Sequence, residues 1–297
     1  MAKKWVKFPY ADKAIERDDA AVKKSWARLH RGDAEPPPKS AAVLAAWTAF
    51  HAGRFADAVE LGREAGGAGV NAAVKAQAIY ANYLEKNDKA KLALFEEAAG
   101  WADERRREAP KDANAHYLYA YALGRYSQGI SVAKALSQGF GGKIKEALTT
   151  AIKLEPKHAD ARVAYGAYQA EVIDKVGGIV AGVTYGAKKD SAVEHFEQAV
   201  KLNPDSAIAR VEYANGLLML FGKSKIADAE KLYREAAKIA PADAMERLDI
   251  ELAKAELEYR GQKTAPHHQQ RSKRPSQQVA RQRPSHQGVQ ARSSGTK

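Results

Sequence analysis

The side chains with the strongest claim to chemistry are few, and their spacing argues against most reactions. The run Gln138-Gly-Phe-Gly-Gly-Lys143 has the glycines and lysine of a phosphate-cradling loop. Such a loop needs four residues between its first Gly and the Gly-Lys pair, then Ser or Thr, and a strand before it. Here Ser137 stands at the first-Gly position, Ile144 follows the Lys, and no strand-like segment precedes. An inter-helix loop is the better reading, as it is for Gly177-Gly-Ile-Val-Ala-Gly182. His195 adjoins Glu194, but neighbouring helical positions point apart and do not make a metal pair. His116 and His158 stand at the starts of helical hairpins, where exposure is expected. Carboxylate pairs such as Glu96-Glu97 and Asp103-Glu104 read as solvated helix faces. Cysteine is absent, so thiolate chemistry and disulfides are excluded. No nucleophile, base and orienting group come together. The expectation is a non-enzymatic chain with no catalytic residue, no metal and no cofactor.

The charge points to the C-terminus. Of the net +12, eight cations fall after residue 260: Lys263, Arg271, Lys273, Arg274, Arg281, Arg283, Arg292 and Lys297. No acidic residue accompanies them, and residues 1–260 keep only +4. Arg-rich segments bind polyanions by neutralising phosphates and releasing counterions, so weak polyanion binding through this tail is one expectation. No aromatic residue is interleaved for base stacking, which argues against sequence-specific single-strand recognition. The same tail lacks Leu, Ile, Phe, Tyr and Trp. It cannot bury a core and is expected to be disordered and dispensable for folding.

The elements that would position any site are helical. Hydrophobic residues make up 45% of the chain, and alanine, the strongest helix former, recurs throughout. Residues 11–32 read as one amphipathic helix with Ala14, Ala21, Val22, Trp26 and Leu29 on a shared side, stopped by Asp33-Ala-Glu-Pro-Pro-Pro-Lys39. From Ser40 to about Tyr259 the periodicity is helical with short breaks, and no segment alternates like a strand. No run of about 18 apolar residues offers a membrane span, and the N-terminus is unlike a secretory leader. A cytoplasmic protein is expected, with an N-terminal helix (1–34) packing on or capping the body, a helical body (35–260) and the basic tail (261–297).

The body repeats itself. Pro110-Lys-Asp-Ala-Asn-Ala-His-Tyr-Leu-Tyr119, Pro156-Lys-His-Ala-Asp-Ala-Arg-Val-Ala-Tyr165 and Pro204-Asp-Ser-Ala-Ile-Ala-Arg-Val-Glu-Tyr213 share the pattern P-x-x-A-x-A-x-x-x-Y. A small residue follows each Tyr: Ala120, Gly166 and Ala214. Three segments end alike, at Ala151…Pro156, Ala199…Pro204 and Ala236…Pro241, with Leu148, Phe196 and Tyr233 before them and Ala192 and Ala229 earlier in two of them. Antiparallel helices approach closely only where one presents Gly or Ala, and a bulky neighbour fills the space beside it. A single hairpin cannot cover its apolar face, so hairpins must stack.

These positions resemble the tetratricopeptide repeat signature over about residues 110–241. Gly53-Arg-Phe-Ala-Asp-Ala58 and Ile79–Tyr83 mark two weaker units before it. The resemblance implies an all-α solenoid of helical hairpins coiled as a right-handed superhelix. Its prolines are 46, 48 and 37 residues apart, against about 34 in the standard repeat, so Ser127–Gly142 and Asp174–Lys189 are insertions inside hairpins. Lengthening of this kind, with Gly124-Arg-Tyr-Ser and Gly142-Lys-Ile-Lys-Glu-Ala-Leu148, resembles the regulator-of-microtubule-dynamics family. The helical T component of TRAP transporters is a second lengthened relative; it is exported, and the chain shows neither a signal sequence nor a lipobox cysteine.

In tetratricopeptide proteins the first helix of each hairpin lines the concave groove. Placing Tyr119, Tyr165 and Tyr213 in the inter-helix seam turns residues two before and two after them toward that groove. This selects Tyr117, Tyr121 and Arg125, then Val211 and Asn215, and in the first unit Trp47 and His51, as a candidate partner-binding surface. The regular Lys/Asn/Arg set with which chaperone-binding relatives clamp a peptide carboxylate is not evident. The leading expectation is a protein-interaction scaffold for a protein or peptide partner. The alternative is a small-molecule or transport-associated binding protein whose pocket is roofed by the insertions.

Overall fold

The computed structural model describes residues 5–10 and 15–264 of the chain. Two short helices, α1 (Asp19–Lys24) and α2 (Trp26–Leu29), come first. Five hairpins follow: α3 (Ala41–His51) with α4 (Phe55–Ala65), α5 (Gly69–Tyr83) with α6 (Asp88–Glu108), α7 (Ala113–Gln128) with α9 (Phe140–Leu154), α10 (Ala159–Val176) with α12 (Lys189–Leu202), and α13 (Ala207–Phe221) with α14 (Ile226–Ala236). The last element is α15 (Ala244–Thr264). The long hairpins carry the expected insertions: α8 (Val132–Ser137) between α7 and α9, and α11 (Gly178–Val180) with a π turn (Ala181–Tyr185) between α10 and α12. No strand occurs among the described residues. Residues 265–297, most of the basic tail, lie outside them.

The repeat motif is a capping motif. Its third residue is the N-cap of the first helix in every unit: Asp112, His158 and Ser206 each accept a hydrogen bond from the backbone N–H three residues on, at Ala115, Ala161 and Ala209. A capped N–H satisfies one of the orphan donors of a helix start. The proline two residues earlier follows the C-cap of the preceding helix, where it cannot extend that helix.

The small and large positions interlock as the spacing requires. Ala151, Ala192, Ala199, Ala214, Ala229 and Ala236 are fully buried, and so are Phe196 and Tyr233. The Phe196 ring lies over Gly166 so closely that a Cβ there would stand 3.0 Å from both the ring and the Ala192 carbonyl. Phe196 also stacks on Tyr213, 5.3 Å between centroids. Ala199 shares this seam with Phe196, Val163 and Ala209. Ala199→Leu is therefore expected to overpack it and cost about 1–3 kcal/mol. Chemical denaturation tests this; an unchanged midpoint would mean that Ala199 faces open space.

The N-terminal region departs from the expected single helix. Ser25 separates α1 from α2, and after Leu29 the chain turns through residues 30–33, with Ala34 in the left-handed region, before an irregular run through the prolines. Ile15, Val22, Trp26 and Leu29 share one core cluster with Val43, Trp47, Phe50 and Phe55. Ala244 and Leu248 of α15 belong to that same cluster. Further along α15, Ile250 and Ala253 pack with Val211 and Tyr233 of the last hairpin. One helix thus joins the two ends of the solenoid.

Candidate functional site

The inner face of the solenoid divides into a sealed half and an open half. In the sealed half the turn and loop Gly32–Glu35 is held by side chains of the first helices of successive hairpins. Lys75 of α5 donates to Asp33 Oδ2 at 2.6 Å. Asn114 of α7 donates to the Asp33 carbonyl at 2.9 Å and to Glu35 Oε2 at 2.7 Å, and Asn71 of α5 reaches the same carboxyl oxygen at 3.3 Å. The backbone N–H of Asp160 donates to the Gly32 carbonyl at 2.9 Å. A Cβ on Gly32 would stand 2.5 Å from Asp160 Oδ1, so a larger residue here would have to displace the Asp160 carboxylate. Asparagines and a lysine thus hold carboxylates here, and the carboxylates come from the same chain.

A line of polar contacts extends the clamp to α15. His30 Nδ1 meets Asp33 at 2.9 Å, His30 and His51 face each other through Nε2 at 3.2 Å, and His51 Nδ1 meets Asp243 at 2.7 Å. Arg28 forms a bidentate pair with Glu246 at 2.6 and 3.0 Å. Burial disfavours the ionised Asp33 carboxyl, yet the Lys75 ammonium and His30 outweigh it and hold Asp33 well below the usual carboxylate range. Burial lowers His30 and His158 to about 4, and raises Asp160 to about 6. His158 is wholly buried, against the expectation of exposure: its Nδ1 accepts from Ala161 N–H at 3.1 Å and its Nε2 donates to Asn114 Oδ1 at 3.0 Å. His116 is buried too and bonds the Pro110 carbonyl.

The open half is a cavity of about 190 Å³ between α7, α9, α10, α13 and α15. Its roof is apolar and comes from the insertions and their flanks, including Val132, Leu136, Phe140, Ile144 and Tyr185. Its inner wall is polar. Arg125 donates to Glu212 at 2.9 Å and to Gln128 at 3.3 Å and lies 5.3 Å from the Tyr121 ring. Gln128 donates in turn to Glu171. Burial raises the Glu171 carboxyl and, more strongly, that of Asp249, which accepts from the Tyr83 hydroxyl. The Tyr168 hydroxyl is buried in the cavity wall and finds no hydrogen-bond partner among the described residues.

Three of the seven candidate residues meet at this wall: Tyr117, Tyr121 and Arg125 line the cavity as one stripe of α7. The other four do not. Trp47 and His51 are each 1% exposed, sealed under His30, Trp26 and α15. Val211 is fully buried against α14 and α15, and Asn215 accepts from the Tyr233 hydroxyl in the seam with α14. The groove surface is thus covered at both ends of the solenoid, by the N-terminal segment and by α15. Glu171, Gln128 and Tyr168 were missed by the sequence reading. The signal available was helical spacing: Glu171 lies three residues past Tyr168 on a long helix that runs into a glycine-rich insertion. In the glycine runs, Gly139 is the left-handed N-cap of α9 and Gly177 precedes α11. Among the described residues no group of three or more His, Asp or Glu is placed to hold a metal ion.

Stacked hairpins with alanine and glycine seams define a helical-repeat protein of the tetratricopeptide type. The chain belongs to the Regulator of microtubule dynamics protein 1-3 family, whose sequence pattern matches residues 71–261, from α5 through both insertions into α15. Among solved structures it is similar to that of a thermophilic TPR protein of Thermus thermophilus, at 17% identity and a TM-score of 0.49, over 71% of this chain and 96% of that one. No curated protein sequence matches it. No described helix is long and apolar enough to cross a membrane.

Proposed function

We propose that this chain is a non-catalytic binding protein whose ligand enters the cavity roofed by the two insertions. The observation that carries this reading is the cavity itself, an apolar roof from the insertions over a polar wall of Arg125, Gln128 and Glu171. An apolar roof over a small number of polar groups is the usual constitution of a small-molecule site. The ligand class is a molecule, or the apolar side chains of a partner, with a polar group that meets the Arg125, Gln128 and Glu171 wall. A scaffold acting through the concave groove is less well supported, because residues 32–35 already occupy the groove's clamp.

Ala164 faces this cavity and is only partly buried. Ala164→Phe would fill the space without displacing packed neighbours. Nile red, an apolar dye with a carbonyl acceptor, serves as the probe in a fluorescence titration. The variant is expected to bind it about tenfold or more weakly with an unchanged melting temperature, since excluding the dye forfeits the burial of at least one ring. Equal affinities for wild type and variant would place the dye elsewhere and remove the cavity reading.

A further inference from the structure

The insertions do more than roof the cavity. Each ends in a short helical tip that presents an aliphatic pair at i, i+4 to solvent: Val132 and Leu136 on α8, 48% and 50% exposed, and Ile179 and Val183 around the π turn, both 86% exposed. Val180 adds a further half-exposed side chain. No residue of α8 is buried. The tips are neighbours: a Cβ on Gly141 would stand 2.8 Å from the Tyr185 ring, and one on Gly186 would stand 3.1 Å from Lys145 Nζ.

The charge around these tips has one sign. Residues 129–145 contain Lys134, Lys143 and Lys145, residues 175–189 contain Lys175, Lys188 and Lys189, and neither stretch contains an acidic residue. Glu146, Asp174 and Asp190 flank the stretches without entering them. Among the described residues Lys134, Lys143, Lys145 and Lys188 have no ion-pair partner, whereas Lys175 pairs with Glu171 at 3.8 Å.

We propose that the two insertion tips form a membrane-docking face, with the exposed aliphatic side chains entering the interfacial layer of an anionic bilayer and the lysines meeting its headgroups. The proposal stands whether or not the cavity takes a ligand. The composition selects a lipid surface over a protein partner. Lysine is depleted at protein–protein interfaces and arginine and aromatics are enriched there, while the negative surface potential of an anionic leaflet attracts each lysine that comes near it. Isolated aliphatic side chains without a surrounding rim of polar partners suit a fluid layer that conforms to them.

The test is co-sedimentation of the full chain with vesicles of phosphatidylcholine containing roughly a third phosphatidylserine, against vesicles of phosphatidylcholine alone. The wild type is expected to sediment with the anionic vesicles and far less with the neutral ones. Ile179→Asp with Val183→Asp should weaken that binding about tenfold or more, with an unchanged melting temperature because both side chains are exposed. Lys134→Glu with Lys188→Glu should weaken it as well, while the basic C-terminal segment remains intact in every variant. If both double variants sediment like the wild type, the C-terminal segment alone carries the attraction and the proposal falls. It also falls if the wild type fails to sediment with anionic vesicles, which would leave the tips as a face for an acidic protein.

Discussion

Lys75→Met is expected to lower the unfolding free energy by about 3–5 kcal/mol. The ammonium of Lys75 sits 2.6 Å from Asp33, with both side chains buried, and 5.6 Å from the Phe50 ring. Removing one member of a buried pair leaves the other charge without compensation, which is why such losses exceed those at the surface. Asp33 could then ionise only at the expense of burial, with the His30 ring, held neutral by burial at pH 7, as its remaining side-chain hydrogen-bond partner. The segment it anchors carries Trp26 and Leu29 into the core, so the loss would spread to the first hairpin. Asp33→Asn with Lys75→Met removes both charges and should recover much of the loss. Urea denaturation of the two variants decides the matter. A single variant as stable as the wild type would show that the N-terminal segment contributes little to the fold.

The second large effect depends on pH. His158→Asn keeps an N-cap side chain but removes a buried imidazole. In the native protein His158 Nδ1 accepts the capping hydrogen bond from Ala161, so a proton on that nitrogen would break the cap. Burial, reinforced by Lys75, lowers its pKa from 6.5 to about 4 against the opposing pull of Asp33. The folded value lies below the unfolded one, so the unfolded chain binds the extra proton first. The stability contributed by neutral His158 is complete above pH 6.5 and is lost as pH falls toward 4. The loss amounts to roughly 3 kcal/mol across that window. Asp160, raised to about 6 by burial, works with the opposite sign and stabilises the fold as pH falls. The pH curve of the wild type alone therefore mixes the two. The difference between wild type and His158→Asn cancels Asp160 to first order, and this gap should shrink by roughly 3 kcal/mol between about pH 7 and about pH 4. A gap independent of pH would mean that burial leaves the imidazole with its unfolded-state pKa.

What the sequence made legible was whatever every hairpin shares. Ala199, Phe196 and Gly166 recur as types because each unit packs the same seam, and a repeated constraint leaves a repeated residue. The insertions were legible for the same reason, as excess length between matching marks. The N-terminal clamp was not. Asp33 and Glu35 read as part of a proline-rich stop, and their partners Lys75, Asn71 and Asn114 lie 36 to 81 positions away. Contacts made once, over such distances, leave no period to detect. Asn71 and Lys75 did offer a hint, as polar side chains inside an otherwise apolar helix. The Tyr117, Tyr121 and Arg125 stripe emerged because helical spacing alone places it on one face. Trp47, His51 and Val211 were selected by the same geometry and failed, because what covers a face at the ends of a solenoid comes from outside the repeat.

The closure of the solenoid by α15 bears on how the chain acquires its structure. An open repeat array unfolds piecemeal, because each unit touches only its neighbours and its stability is a sum of local terms. Here Arg28 bonds Glu246, His51 bonds Asp243 and Tyr83 bonds Asp249, across 218, 192 and 166 positions. Loops of that length carry their entropy cost before the contacts form. Individual hairpins can form early during synthesis, but the first hairpin cannot complete its core until α15 has left the ribosome. Denaturation should then be a single cooperative transition, with amide exchange in α3 and α15 protected to the same degree although they stand at opposite ends of the chain.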